Sequence, residues 1–202
     1  LAMAGGFTVT EVLGSTATDT ANGLGGLNGL PLASQDILKG SKFNMPRQAR
    51  SIPEGLSSRG YFSKNVTVHV IAGPEDYLFT KEVIDNFYSH AFLLSAEISR
   101  VGYRLTGHPI YADSYNIPSK TVLPGTIQIP PSGDPIILMA DGPVTGGYPR
   151  MGVVAKVDQP ILAQLRSGGR VRFLACLPEE ARLREANQRQ WIEELYHKKT
   201  ER

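Results

Sequence analysis

The clearest hydrophobic pattern in the chain is the alternation of apolar and more polar residues in "VTVHVIAG". Val66, Val68 and Val70 fall on one face of this segment, as in a half-buried β-strand. Gly73 and Pro74 follow directly, and both residues favour a turn over a continued strand. The pattern therefore predicts a strand that ends just before Gly73.

A helical spacing follows in "YLFTKEVIDNFYSHAF". Val83, Ile84 and Phe87 recur as they would on one face of a helix. Thr80 stands where an N-cap residue accepts a hydrogen bond from the first helical turn. The stretch predicts one short helix that begins after Thr80.

Period two returns in "FLLSAEISRVGYRLTG". Phe92 and Leu94 begin one face, and the alternation slips by one residue before Val101, Tyr103 and Leu105 continue it. A β-bulge inserts one residue into a strand and produces such a slip. The segment therefore predicts a strand interrupted by a bulge.

Turn residues separate several further apolar runs in the second half of the chain. The runs "TIQI", "IILMA", "GVVAKV" and "VRFLACL" predict strands, and "PILAQLRSG" predicts a short helix. The last segment, "PEEARLREANQRQWIEELYHKKTER", predicts a terminal helix that begins at Pro178. The residues predicted to pack this helix are Leu183, Ala186, Trp191 and Leu195.

The first third of the chain has a different distribution of apolar and turn-forming residues. Residues 1–42 contain short apolar pieces punctuated by glycine, which predicts strands and turns without helix. Residues 43–63 are polar and contain prolines, as in a linker or a long surface loop. We therefore expect an N-terminal β segment over residues 1–48 and a second domain over residues 64–202. Most connections between strands are too short for a crossover helix, so the fold is predicted to be mainly β, a barrel or a sandwich with two or three helices.

Composition excludes several classes of function. The 202 residues include 21 basic and 19 acidic side chains, a formal net charge of +2, without the basic run of a nucleic-acid-binding protein. No stretch reaches the ~18 apolar residues of a membrane span, and no signal peptide is recognisable. With the single Cys176 interpreted as a small core residue, these features predict a cytoplasmic protein. The four histidines lack metal-ligand spacing, so we expect no metal site.

The loop "ADGPVTGGYPRMG" lies between two predicted strands and carries polar groups. Gly146 and Gly147 can expose backbone N–H groups to an anion, and the Arg150 guanidinium beside them can hold a carboxylate. Asp141 at the strand end can act as a base or orient water. The alternative is a glycine turn in which Asp141 only caps its own backbone.

Three stretches resemble a known family: "VGYRLTG", "PGTIQIPPSGDPIILMADGPVTGGYPRMGVVAKVD" and "LAQLRSGGRVRF". They are similar to the carboxyltransferase-type family that includes the C subunit of 5-oxoprolinase, allophanate hydrolase subunit 2 and an antagonist of a histidine-kinase inhibitor. The opening "AGGFTVTEVLGSTATDT" and "GLGGLNGLPLASQDIL" resemble the same family. The resemblance therefore covers nearly the whole chain.

This resemblance implies a cyclophilin-like β-barrel with a few short helices and a C-terminal helix, preceded by the C-terminal part of a truncated first subdomain. It also implies work beside the family's B subunit, or beside a kinase-inhibitor protein, and it leaves room for an A subunit. Small β-barrels with exposed glycine-rich edges often pair, so a homo-oligomer is a further expectation. In the implied reaction, ATP bound with or by the partner subunits phosphorylates the lactam of 5-oxoproline, and water then opens the ring to glutamate.

The resemblance also implies the residues of the site. Asp141 and Thr145 are the predicted catalytic residues: Asp141 polarises water or a substrate N–H, and Thr145 stabilises an oxyanion or a carboxylate with the glycine amides. The predicted substrate-binding residues are Tyr103, Arg104, Gln128, Gly146, Gly147, Tyr148 and Arg150. The alternative is that the two tyrosines only pack and that Gln128 only caps strand ends.

One departure from the family pattern weakens the catalytic interpretation. Family members commonly have Gln-Thr where this chain has Pro143 and Val144. Two alternatives therefore stay open: a non-catalytic antagonist of a histidine-kinase inhibitor, and a carboxyltransferase acting on a urea-like or allophanate-like substrate. The chain has no segment of the type that carries covalent biotin, so this second alternative needs carboxybiotin from elsewhere.

Overall fold

The computed structural model describes residues 3–42 and 63–197. The chain divides into two compact units, Leu1–Ile52 and Pro53–Arg202, which we describe separately. The predicted linker at 43–63 lies, apart from Ser63, outside the described residues and stays a prediction.

The described part of the first unit consists of turns joined by isolated β-bridges. Phe7 pairs with Gly40, and Thr10 pairs with Gly26. In one tight turn the Asp19 carboxylate accepts hydrogen bonds from the backbone N–H groups of Ala21 and Asn22, at 3.1 and 3.2 Å. Residues 3–42 contain no helix, as the sequence predicts.

The second unit is built on a closed β-barrel. Its strands are β1 (Asn65–Ala72), β2 (Ala91–Ile98), β3 (Gly102–Thr106), β4 (Lys120–Thr121), β5 (Thr126–Gln128), β6 (Ile136–Leu138), β7 (Thr145–Gly146), β8 (Arg150–Val154) and β9 (Arg170–Ala175). Its helices are α1 (Lys81–Ser89), α2 (Gln159–Leu162) and α3 (Pro178–His197). The order around the barrel is β1-β8-β5-β6-β3-β2-β9, and β9 closes the barrel by pairing in parallel with β1. Strands β4 and β7 form a separate two-stranded sheet, the β4–β7 ribbon. The predicted mainly β fold is confirmed.

The alternation in β1 places its valines inside the barrel. Val68 and Val70 are fully buried, because one face of the strand supplies the core. Helix α1 adds Phe87, whose ring stacks on Phe173 of β9 with centroids 4.6 Å apart. The predicted N-cap is confirmed, since Thr80 Oγ1 accepts a hydrogen bond from the Val83 N–H at 3.3 Å. Helix α1 is thus fixed by its cap and by one buried aromatic ring.

The slip in the alternation near residue 100 is a hairpin turn, and the predicted interrupted strand is wrong. Strands β2 and β3 pair antiparallel, with Leu94 opposite Leu105. The turn between them is formed by residues Ser99 to Gly102, where the Ser99 hydroxyl accepts hydrogen bonds from the N–H groups of Val101 and Gly102. A bulge does occur, but it lies inside β2, between Leu94 and Ile98.

Helix α3 begins at Pro178, as predicted, but three of its four predicted packing residues, Leu183, Ala186 and Trp191, are exposed. Leu183 is 62% exposed, Trp191 is 41% exposed and Ala186 is exposed. The side chain of Leu195 lies outside the described residues. Charged residues hold the helix, because Glu185 pairs with Lys156 at 3.4 Å and Arg184 pairs with Asp158 at 3.7 Å.

Asp158 joins α3 to the barrel. Its side chain is buried, and Oδ2 accepts hydrogen bonds from the His69 backbone N–H at 2.7 Å and from His69 Nδ1 at 2.8 Å. A buried carboxylate needs such donors, because water does not reach it. The segment before α2 is therefore tied to β1 by this carboxylate.

We expect Asp158→Ala to lower the free energy of unfolding by about 2 kcal/mol, because it leaves a buried N–H of β1 without an acceptor. Urea denaturation followed by circular dichroism measures the change. The matched control is Asp85→Ala, whose carboxylate is exposed and, among the described residues, pairs with Lys81 on the same helix; it should cost less than about 0.5 kcal/mol. Equal effects of the two substitutions would contradict this role for Asp158.

Candidate functional site

The second unit contains one fully buried carboxylate among its described residues, that of Glu75, in the turn that follows β1. Arg150 holds it with two hydrogen bonds, Nε to Oε2 and Nη2 to Oε1, both 2.6 Å long. Lys120 Nζ lies 3.1 Å from Oε1. A buried charge destabilises a fold unless it is paired and hydrogen-bonded, so the two cations are what allow Glu75 to stay there.

Barrel pairing and a glycine bring these groups together. Arg150 begins β8 and lies directly opposite Gln128, the last residue of β5. The Gly73 N–H donates to the Met151 carbonyl at 3.1 Å, which draws the turn carrying Glu75 against β8. A Cβ at Gly73 would collide with the Arg150 carbonyl, so this approach requires glycine.

Arg150 also fixes the β4–β7 ribbon. Its Nη1 donates to the Thr121 carbonyl of β4 at 2.9 Å. Lys120, the neighbour of Thr121, reaches Glu75 from the same strand. The guanidinium therefore joins β8, the turn after β1 and β4 through three of its nitrogens.

Gln128 completes the group. Ile127 is in the barrel core, so its neighbour Gln128 projects to the outer face of the barrel. The Gln128 side chain is nevertheless only 5% exposed, and none of the described residues accepts a hydrogen bond from its Nε2. That nitrogen occupies the position that a Cβ on Gly146 would take, so Gln128 requires glycine in β7. We call Glu75, Lys120, Gln128, Gly146 and Arg150 the Glu75 cluster.

The Glu75 cluster carries a net positive charge, because one carboxylate faces two cations. The Arg150 side chain is 14% exposed and that of Lys120 is 45% exposed. Lys120 is therefore the cation of the cluster that is more accessible to solvent. Hydrogen bonding by Arg150 lowers the pKa of Glu75, and the carboxylate in turn raises the pKa of Arg150. Both groups are therefore charged at neutral pH, and the cluster can attract an anion.

Asp141 lies away from this cluster. It follows Leu138, the last residue of β6, whereas Gln128 pairs with Ile136, the first. Its oxygens accept hydrogen bonds from Arg100, Nε to Oδ2 at 2.5 Å and Nη2 to Oδ1 at 3.0 Å. Its backbone N–H donates to the Arg100 carbonyl at 2.9 Å. Asp141 thus links the loop after β6 to the turn between β2 and β3.

Tyr103 and Arg104 also lie apart from the Glu75 cluster. Tyr103 packs in the core of the barrel, and this burial raises the pKa of its phenol. Arg104 Nε donates to Glu97 Oε2 at 2.7 Å, beside a surface cavity of about 380 Å³ between β2 and β3. Both positions follow from β3, whose alternate residues face the inside and the outside of the barrel.

Of the remaining predicted residues, Thr145 lies in β7, and Gly147 and Tyr148 lie in the loop before β8; all three are exposed. Of the predicted set, the structure gathers Gln128, Gly146 and Arg150 at one place. The catalytic roles of Asp141 and Thr145 stay predictions.

Two members of the cluster, Glu75 and Lys120, are absent from the predicted site. The sequence shows that Glu75 follows the turn residues Gly73 and Pro74, but it does not show that the Glu75 side chain is buried. Its partners Lys120 and Arg150 lie 45 and 75 residues further along the chain. The barrel brings Arg150 to Glu75, and the β4–β7 ribbon brings Lys120, so the tertiary fold is needed to gather these distant charges.

Two other kinds of site have no counterpart in the part of the chain that the structure describes. No group of three or more His, Cys, Asp or Glu side chains in residues 3–42 and 63–197 is arranged to hold a metal ion. No helix in the same ranges is both long enough and apolar enough to cross a membrane. Cys176, predicted to be a core residue, is only partly buried.

Comparisons with known proteins identify the family. The sequence model of the family "Carboxyltransferase domain, subdomain A and B" matches residues 1–175, and the chain belongs to this family. The resemblance noted in the sequence is therefore confirmed.

Two curated relatives carry the name of the C subunit of 5-oxoprolinase. The one from Escherichia coli (strain K12) is 34% identical over 197 residues, which cover 96% of this chain and 61% of the relative. The one from Haemophilus influenzae is 31% identical over 191 residues, covering 93% and 59%. This chain thus spans about three fifths of the length of these relatives.

A solved structure supports the same fold. The crystal structure of the K. lactis urea amidolyase superposes with a TM-score of 0.75 at 26% sequence identity. The match covers 88% of this chain and 12% of that one. The barrel is therefore shared with a domain of a much longer protein.

We expect Glu75→Gln to lower the free energy of unfolding of the second unit by about 3 kcal/mol at pH 7, because it leaves two cations without their carboxylate. Urea denaturation at several pH values tests this. Since the pKa of Glu75 is lowered on folding, its stabilisation is complete above the usual value of 4.5 and disappears as the pH falls through the lower folded value. The gap between wild type and variant should therefore close in acid. The control Glu82→Gln, in the exposed first turn of α1, should stay within about 0.5 kcal/mol of wild type at every pH; a gap at residue 75 that is small or independent of pH would contradict this interpretation.

Proposed function

We propose that this chain is part of the C subunit of an ATP-dependent 5-oxoprolinase, which converts 5-oxo-L-proline to L-glutamate together with partner subunits. The observation that carries the proposal is the 34% identity to the Escherichia coli 5-oxoprolinase chain over 96% of this one. That relative is named as one subunit of an enzyme, which supports a role beside other chains.

The Glu75 cluster supplies the chemistry that such a substrate needs. A lactam presents a carbonyl oxygen, which ATP phosphorylates in the proposed reaction and which must be held in place for that step. Gln128 Nε2 is a buried donor without a protein acceptor among the described residues, so it is suited to that oxygen. Arg150 already uses Nε, Nη1 and Nη2 within the protein, so its role is to position the Glu75 cluster.

We propose that ATP is held with or by the partner subunits. The Glu75 cluster offers one ammonium and one side-chain amide as donors. The turn that carries Glu75 lacks the glycine-rich sequence of a phosphate-binding loop. What this chain contributes in the proposal is the orientation of the lactam and the stabilisation of its oxygen. Asp141 is less suited to the same step, because it lies at the other end of β6 and pairs with Arg100.

A second candidate function is carboxyl transfer to a urea-like substrate. The likeness to the K. lactis urea amidolyase, with a TM-score of 0.75, favours it. Urea also presents an amide carbonyl oxygen, so the proposed role of Gln128 is the same in both reactions. Turnover of each substrate by the assembled complex separates the two candidates.

We expect Gln128→Leu to reduce ATP-dependent release of glutamate from 5-oxoproline about 100-fold, because the donor that orients the lactam carbonyl is lost. The assay uses the full-length protein assembled with its partners and measures glutamate with and without ATP. Gln190→Leu on α3 is the matched control, since that amide bonds only the exposed Glu194, and it should leave the rate unchanged. A wild-type complex that releases no glutamate would contradict the proposed function, and full activity of Gln128→Leu would contradict the assigned donor.

A further inference from the structure

Lys120 is the most exposed charged member of the Glu75 cluster. Its side chain is 45% exposed, and it makes one contact with Glu75, Nζ to Oε1 at 3.1 Å. An ammonium group has three donors, so this contact leaves Lys120 able to bind a second acceptor. Glu75 is already held by two shorter hydrogen bonds from Arg150.

The geometry of the β4–β7 ribbon puts Lys120 beside Gln128. Lys120 and Gly146 are directly opposite each other in this antiparallel pair. Directly opposite residues project to the same face of a sheet. Gln128 Nε2 lies where the Gly146 side chain would be, so the ammonium and the amide donor are on one face of the ribbon.

The charge of the cluster favours a singly charged ligand. Glu75 and Arg150 compensate each other, which leaves the charge of Lys120. A carboxylate carries one negative charge and compensates one ammonium. A polyphosphate carries several, and it is usually bound through repeated backbone amides at a helix start or a glycine-rich loop.

We propose that Lys120 binds the carboxylate of the substrate while Gln128 binds its amide carbonyl oxygen. The ligand class is a small molecule with a carboxylate close to an amide, and the assignment of 5-oxoproline as that ligand rests on the proposed function. Lys120 is then the residue that distinguishes an acidic lactam from a neutral one. Glu75 holds the Lys120 side chain in position by accepting a hydrogen bond from it.

The test compares 5-oxo-L-proline with 2-pyrrolidinone, the same lactam ring without the carboxylate. Dissociation constants come from NMR titrations of the 202-residue chain, without ATP or partners. We expect wild type to bind 5-oxo-L-proline about 10-fold more tightly than 2-pyrrolidinone, as one charge-assisted hydrogen bond provides. Lys120→Met should bind the two ligands equally, because it removes the charge and keeps a side chain of similar length.

Two further variants make the result specific. Lys120→Arg keeps the positive charge and should keep most of the preference, whereas Lys81→Met removes an exposed lysine of α1 and should leave the preference unchanged. A wild-type chain without a preference for 5-oxo-L-proline, or a Lys120→Met variant that keeps it, would overturn the inference. If the assembled complex releases no glutamate but Lys120→Met still abolishes the preference, the carboxylate site stands and the proposed function fails.

Discussion

The burial of one carboxylate determines the arrangement of the site. Glu75 has no exposed side-chain surface, and a charge in that position requires partners that arrive from elsewhere in the chain. Arg150 comes from the barrel and Lys120 comes from the β4–β7 ribbon. The pairing of Glu75 with both therefore attaches the ribbon to the outer face of the barrel. Gly73 and Gly146 permit this packing, because a side chain at either position would occupy space that Arg150 or Gln128 already fills.

Attachment of the ribbon has a chemical consequence for Gln128. The ribbon removes the amide from solvent without supplying an acceptor for its Nε2 among the described residues. A buried donor without an acceptor is costly in a folded protein and common where a ligand completes the hydrogen bond. In the proposed site, the same packing that stabilises the charge of Glu75 leaves this donor for a ligand. We propose that the neighbouring Lys120 supplies the charge that selects the ligand.

Local patterns in the sequence predicted much of the fold and only part of the site. The alternation in β1, the Thr80 cap and the Pro178 helix start all depend on residues close together in the chain, and each was predictable. The turn between β2 and β3 was missed because its signal in the sequence is weak: a serine hydroxyl organises it, and its one glycine, Gly102, stands at the last position. The prediction of how α3 packs was wrong because Arg184 and Glu185 form its ion pairs with the rest of the unit. A hydrophobic pattern points to Leu183 instead. Glu75 was missed because its partners are distant in sequence, and only the folded barrel and the β4–β7 ribbon together bring them near.

The central claim is that the buried amide of Gln128 is the donor that meets the ligand, and its own NMR signal tests this most directly. The side-chain ¹⁵N resonance of Gln128, assigned by its loss in the leucine variant, can be followed as 5-oxo-L-proline is added to the full chain. We predict that this resonance and the backbone amide of Gly146 shift together with a single dissociation constant, because Nε2 lies against Gly146. An unmoved Gln128 signal, with ligand-dependent shifts confined to the surroundings of Asp141, would contradict the account.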